Sequence, residues 1–316
     1  METILITGGA GFVGSALAYA LTRRPDTRIV VVDNLSTGSL INLRGGNSRK
    51  IHFVESDVNQ YEEIAHVFEE WKPTFVFHYA AVVGVQRTLA SPVSVLNDVN
   101  GIRHILDLSV SHRVQRVFYS SSSEVYGEPV HIPQHEHNTP LNSRLPYAVV
   151  KNVGEAYLRS YHTEYGLNYT IFRFFNTYGA GQSGDFVIPR FIKAALAGEP
   201  LLINGDGSQT RTFCGIADNV DATLVALNQN LFINDVVNIG SDSEVTIKAL
   251  AELIVNLTQS SSPIHFQPPL EEGDMTRRKP DIGKMKQLLQ REPEALREGL
   301  INVIEYYRKC VESTAL

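Results

Sequence analysis

The chain has 316 residues, 43% of them hydrophobic and 20% charged, a balance that fits a globular protein with one large core or two modest ones and excludes an intrinsically disordered chain. A formal net charge of −6 gives no general basic surface for nucleic acid, and two cysteines, Cys214 and Cys310, supply neither a disulfide framework nor metal-ligand spacing. No apolar run reaches the length of a membrane span and no basic leader opens the chain, so a cytoplasmic protein without metal, membrane or nucleic-acid partner is expected.

Thr3 to Thr7 reads as a buried strand that runs directly into Gly8-Gly-Ala-Gly-Phe-Val-Gly14 and then into a helical pattern from Ser15 to Arg23. Glycines at 8, 11 and 14 allow, in turn, a tight turn, close approach of backbone to a pyrophosphate, and close packing of helix on strand. The helix N-terminus, with Phe12 and Val13 in its first turn, offers N–H groups and a positive dipole end to an anion. The next strand, Arg28 to Asp33, ends in a carboxylate at the spacing expected of a ribose-binding acid, roughly twenty residues on. Asp33 accepts hydroxyl hydrogen bonds and repels a 2′-phosphate, which favours NAD over NADP.

Further strands are predicted at Lys50 to Glu55, Thr74 to His78 and Gln115 to Ser120, with helices at Tyr61 to Trp71 and about Val93 to Ser111. This alternation predicts a doubly wound parallel sheet of the Rossmann type, whose ligands lie beyond the carboxyl ends of the strands. Asn34, Asp57, Val58, Ala80 and Ala81 fall there beside the glycine turn, the two alanines serving either cofactor approach or simple close packing. So does the run Ser120-Ser-Ser-Ser-Glu124, in which Ser120 and Ser121 read as backbone caps and Ser122, Ser123 and Glu124 as candidates for chemistry.

Pro146 then opens a helix that sets Tyr147 and Lys151 four residues apart on one face. An ammonium beside a phenol favours the phenolate, a usable base near neutral pH. After a strand at Tyr169 to Phe174 the elements shorten. They are a helix Ile188 to Leu196, a strand pair near Leu201 to Ile203 and Thr212 to Ile216, a helix Asn219 to Leu227, a strand Val236 to Ile239, and helices near Thr246 to Thr258, Asp281 to Leu289 and Glu294 to Lys309. Residues 1–178 are expected to form the NAD-binding domain and 179–316 a smaller C-terminal α/β substrate domain, with some crossing of the chain and a substrate cleft between the two. Glu271-Glu-Gly273 reads as a loop leading to Arg277-Arg-Lys279, a charge run whose ordinary role is a solvated face.

Thr7 to Gly14, Asp33 to Gly38, Ser122 before Val125-Tyr-Gly127, Tyr147 with Lys151, Phe175 to Gly179 and Gly205 to Phe213 together resemble the extended short-chain dehydrogenase/reductases of the NAD-dependent nucleotide-sugar epimerase/dehydratase family. The resemblance implies that Ser122 holds the sugar O4, Tyr147 takes its proton, and Lys151 holds the nicotinamide ribose. It also implies that Asn176, Ile188, Arg211, Arg278 and Ser123 border the nucleotide diphosphate or sugar, and that the enzyme is a homodimer through the helices Val93 to Ser111 and Tyr147 to Tyr165. One departure stands in Asp98-Val-Asn-Gly101, where the family usually has Asn at the first position. A 4-keto sugar can be epimerised, decarboxylated or dehydrated. Glu124 resembles the Glu of the decarboxylases and dehydratases, but Ser123 stands where the dehydratases carry Asp. The 4-epimerase is the reading taken, with the UDP-glucuronate decarboxylase beside it, 4,6-dehydration third, and a non-catalytic NAD sensor as the alternative of another class.

Overall fold

A computed structural model describes all residues except 44–49, 85–87, 89, 270–275 and 315–316; the expected loop Glu271 to Gly273 lies outside the described residues. The chain divides into two compact units, one of residues 1–125, 141–174 and 220–237, the other of residues 126–140, 175–219 and 238–316. The expectation was a division after Tyr178 with some crossing of the chain; here 126–140 belongs to the second unit and 220–237 to the first, so the chain passes between the units five times.

The first unit is built on strands β1 (Glu2–Thr7), β2 (Thr27–Asp33), β3 (Ile51–Glu55), β4 (Phe75–His78), β5 (Arg116–Ser122) and β6 (Tyr169–Phe174). With β11 (Asp235–Ile239) they make a seven-stranded sheet in the order β11-β6-β5-β4-β1-β2-β3. Every pair from β3 through β6 is parallel, as in Thr7 opposite Val32 on one side and His78 on the other. Parallel strands are covered on both faces, which is why β1, β2 and β4 read as nearly unbroken apolar runs and are buried almost throughout. Strands β1 to β3 build outward in one direction and β4 to β6 in the other. The reversal between β1 and β4 opens the crevice in which such sheets bind ligands.

The helices covering the sheet include Phe12–Leu21, Tyr61–Trp71, Asp98–Ser111 and Pro146–Tyr165. The last has Pro at its start, where a missing N–H costs nothing, and ends on Gly166 in the left-handed region. Its buried stripe, Ala148, Val150, Lys151, Gly154, Glu155 and Leu158, carries two charged side chains into the interior. The helix expected over Val93 to Ser111 is two segments, Pro92–Leu96 and Asp98–Ser111, separated at Asn97, whose N–H turns back to the Ser94 carbonyl. Strand β5 runs two residues further than expected and carries Ser121 and Ser122 within the ladder opposite Arg173 and Phe174.

The second unit holds three two-stranded ladders. Strands β7 (Thr177–Tyr178) and β10 (Cys214–Gly215) pair parallel, β9 (Thr210–Thr212) and β12 (Glu244–Thr246) antiparallel, and β8 (Leu201–Asn204) and β13 (Ile264–Gln267) parallel. The expected pairing of Leu201 to Ile203 with Thr212 to Ile216 is therefore replaced. β8 takes the unforeseen β13, and the second stretch splits between two other partners. Ile188, Phe191, Ile192, Leu250, Ile254, Leu300 and Ile304 form the apolar core of this unit, drawn from helices Val187–Ala197, Ile247–Thr258 and Leu296–Thr314. Among the described residues no helix is long and apolar enough to cross a membrane.

Candidate active site

The glycine turn closes the carboxyl end of β1 against its neighbours. Gly8 has a φ of +67°, and a Cβ there would meet the Ala80 backbone nitrogen at 2.6 Å. A Cβ on Gly14 would run into the Gly8 carbonyl and reach the Gly9 Cα at 2.7 Å, so helix and strand pack at a distance only glycine allows. At Gly11 the only close neighbour would be the Gly8 carbonyl, at 3.1 Å. Gly11 is the N-cap of the Phe12–Leu21 helix and brings no side chain to its first N–H groups, which leaves those of the Phe12, Val13 and Gly14 region for an anion.

Asp33 ends β2 and is buried, 8% exposed. Its Oδ2 accepts the Ala10 N–H at 3.0 Å and its Oδ1 accepts the Leu35 N–H at 2.9 Å, so the carboxylate braces the glycine turn and keeps further lone pairs for hydroxyl donors. Asn34 donates to Asp57 Oδ2 at 3.2 Å, and Asp57 in turn accepts the Asn59 N–H. Val58 is buried, its carbonyl bonded to the His104 ring, while Ala80 and Ala81 are half-buried at the end of β4. These groups fit NAD: a helix whose N-cap is glycine behind a glycine turn for the pyrophosphate, an acid at the end of β2 for the ribose, and small residues at the switch point.

On the other side of that point lie the serine run and the Pro146–Tyr165 helix. Lys151 is 3% exposed. Its Nζ lies 5.0 Å from the centre of the Tyr119 ring and 5.8 Å from that of Tyr147, and donates to Ser120 Oγ at 3.4 Å. Ser120 passes the contact on by donating to the His78 carbonyl at 3.3 Å. Burial pushes the Lys151 ammonium down to about 8, against the opposing charge of Asp98. Ser122 is 9% exposed and its Oγ accepts the Glu124 N–H at 3.2 Å, fixing the short 3-10 turn Ser123–Tyr126 and with it the half-buried Glu124. Ser123 is buried in that turn.

Ser120, expected as a backbone cap, bonds the His78 carbonyl and meets Lys151 as well, whereas Ser121, expected likewise, donates to the Glu155 side chain at Oε1, 2.7 Å away. His78, unmarked by any sequence motif, pairs through Nδ1 with Thr7 Oγ1 at 2.8 Å, and its Nε2 is buried without a partner among the described residues. Burial, with the charge of Lys151, holds this imidazole neutral, its pKa lowered to about 3. The available signal was position: His78 ends a strand at the switch point, and a ring there faces the site.

In the second unit Asn176, with φ +26°, donates from Nδ2 to the Thr212 carbonyl at 3.0 Å, and its carbonyl accepts the Cys214 N–H. Arg211 on β9 is buried, and the segment carrying Arg278 bonds to that strand through the Thr210 N–H and the Thr276 carbonyl. The charge run there is not one solvated face. Arg277 and Lys279 turn to Glu244, at 2.6 and 3.5 Å, while Arg278 between them is 5% exposed. The Arg277 bonds hold the Glu244 carboxyl down to about 2, against burial. Ile188 sits in the apolar core, so what it can offer a ligand is backbone rather than side chain. Among the described residues no cluster of three His, Cys, Asp or Glu is arranged for a metal.

A dinucleotide turn, an acid-braced ribose position and a buried lysine beside a tyrosine define a protein of the Rossmann dehydrogenase class. The sequence profile of the NAD dependent epimerase/dehydratase family matches residues 4–240. The chain is 35% identical to the UDP-N-acetyl-alpha-D-glucosaminuronate decarboxylase of Bacillus cytotoxicus, over 96% of its own length and 97% of the relative's. The crystal structure of UDP-glucose 4-epimerase from Thermotoga maritima with UDP-glucose superposes with a TM-score of 0.92 at 33% identity, covering 98% of this chain and 100% of that one. The UDP-glucuronic acid 4-epimerase of Bacillus cereus, in complex with UDP-glucuronic acid and NAD, gives 0.87 at 28% identity, with 98% and 100% covered. The chain belongs to the NAD dependent epimerase/dehydratase family, and it is an NAD-dependent enzyme.

Proposed function

We propose that this enzyme epimerises a UDP-hexose at C4 through a transient 4-ketone. The observation that carries the reading is the buried Lys151 ammonium, held between the Tyr119 and Tyr147 rings and hydrogen-bonded into the strand that ends on Ser122. Its positive charge in a low-dielectric setting favours the Tyr147 phenolate, which takes the C4 hydroxyl proton while the Ser122 hydroxyl holds that oxygen. The glycine turn, Asp33 and Lys151 would hold NAD, which would supply the acceptor for the C4 hydride and then its donor. Once the ketone has turned its other face, Tyr147 returns the proton and the hydroxyl re-forms with inverted configuration. Arg211 and Arg278 are buried guanidinium groups of the kind that serve a diphosphate as charge-assisted donors.

A second reading, loss of carbon dioxide from a UDP-uronate, is favoured by one observation. Glu124 is anchored by its N–H to the Ser122 hydroxyl, and simple epimerisation has no use for a carboxylate there. Incubation with NAD and UDP-glucose, UDP-N-acetylglucosamine or UDP-glucuronate, with products read by mass and NMR, decides. An isomer of unchanged mass supports epimerisation; a product short of carbon dioxide or water overturns it. Tyr147→Phe abolishes NAD reduction and leaves NAD affinity near wild type; retained turnover refutes the assignment. The enzyme acts in the cytoplasm as a homodimer through the helices that expose Val93, Leu96, Val149 and Tyr165. Light scattering is expected to give twice the 35.1 kDa chain mass, and a monomer sinks this.

A further inference from the structure

The basic run Arg277-Arg-Lys279 is sorted by one carboxylate. Glu244 on β12 accepts the Arg277 Nε at its Oε1, 2.6 Å away, and the Arg277 Nη2 at its Oε2, 2.7 Å away, a fork of two charge-assisted bonds. The Lys279 ammonium stands 3.5 Å from the same Oε2, and the Thr210 hydroxyl of β9 donates to Oε1 at 3.1 Å. The residues on either side of Arg278 are therefore drawn to one face of the β9–β12 ladder.

The strand register fixes where that leaves the arginines. β12 pairs antiparallel with β9, Glu244 opposite Thr212 and Val245 opposite Arg211. Along the other edge of β9 the segment from Thr276 runs parallel, bridged at Thr210 and Arg277, with the Thr210 N–H on the Thr276 carbonyl at 3.2 Å. Successive side chains of an extended chain alternate between faces, so Thr210, Arg277 and Glu244 share one face. One residue on from the bridge, Arg211 and Arg278 share the other, both buried, at 8% and 5% exposed. We propose that Glu244 is a positioning residue for the nucleotide diphosphate: by keeping Arg277 and Lys279 on its own face it turns Arg278 to the opposite one, where Arg278 and Arg211 present two guanidinium groups to one diphosphate. The ends of the segment are held separately. Glu128 accepts the Thr276 N–H at 3.0 Å and its hydroxyl at 3.1 Å, and the Lys279 carbonyl accepts the Gln134 N–H at 2.7 Å. Glu244 fixes what lies between, the direction in which Arg278 leaves the chain.

This inference rests on the diphosphate role given to Arg211 and Arg278. It is tested by calorimetry of UDP binding and by steady-state kinetics with the active UDP-sugar, on Glu244→Gln and on Arg277→Gln. The second variant opens the same clamp from a half-exposed side chain and decides the matter should E244Q fail to fold. Each is expected to bind UDP at least about tenfold more weakly, the loss of roughly one charge-assisted donor, with KM raised to match while kcat and NAD affinity stay unchanged. The double variant loses no more than the worse single one, since both open one clamp. UDP affinity within about twofold of wild type in the folded single variants, losses that multiply in the double one, or a fall in kcat with KM unchanged overturns the proposal. Arg278→Met is the control: if it binds UDP as wild type does, the diphosphate reading itself fails, whatever Glu244 does.

Discussion

Glu155→Met tests what holds the Tyr147–Lys151 helix against the strand bearing Ser122. Glu155 is fully buried, and its two oxygens accept four hydrogen bonds, from Ser121 at 2.7 Å, Arg173 at 2.8 and 2.6 Å, and Arg159 at 2.8 Å. Arg173 is 1% exposed, so removing the carboxylate takes from a buried guanidinium its two bonds to Glu155; breaking a buried pair from one side costs about 3–5 kcal/mol. That is a large part of a total stability of roughly 5–15 kcal/mol. Replacing both partners, as Glu155→Met with Arg173→Met, removes both buried charges and should return the protein to within about 2 kcal/mol of wild type. Trp71, the sole tryptophan, stacks against His52 at 4.9 Å and under Arg28, so its fluorescence in urea reports unfolding of the unit in question. Burial alone would push the Glu155 carboxyl up, but Arg173, Ser121 and Arg159 hold it below its ordinary value. A depressed carboxyl gives stability that is present above the unfolded value, about 4.3, and lost as pH falls through the folded one. Glu155→Met should therefore lack that acid-side loss. A single substitution costing under about 1 kcal/mol, or a double variant no better than the single, refutes the account.

Gly154→Ala drives a Cβ into the Tyr119 hydroxyl, with the ring Cζ at 2.5 Å, and should cost about 1–3 kcal/mol by overpacking. Adding Tyr119→Phe removes the colliding oxygen, which is buried without a partner among the described residues, and should restore much of the loss; absence of rescue in urea melts disproves the steric cause. Gly14→Ala pushes the Phe12–Leu21 helix off the turn and should weaken NAD binding at least about tenfold by calorimetry, whereas unchanged affinity would remove the turn from the cofactor site. Glu124→Gln keeps epimerisation within a few-fold of wild type if the carboxylate is a bystander. Normal NAD reduction with lost product release as a new sugar assigns it to chemistry at C5 or C6.

The sheet was legible because parallel strands buried on both faces must be continuous apolar runs, and because the glycines at 8 and 14 are forced by backbone contacts that a Cβ does not permit. Tyr147 and Lys151 were legible for a similar reason: one helical turn is a short-range fact. The pairing of β8 with β13 was not, since it joins segments separated by four strands and two helices, and neither carries a pattern naming its partner. Nor were the side-chain contacts of Ser120 and Ser121, because a serine at a strand end looks the same whether its hydroxyl caps backbone or meets a lysine or a glutamate 31 and 34 residues on. The exchange of 126–140 and 220–237 between the two units was foreseen only as crossing in general.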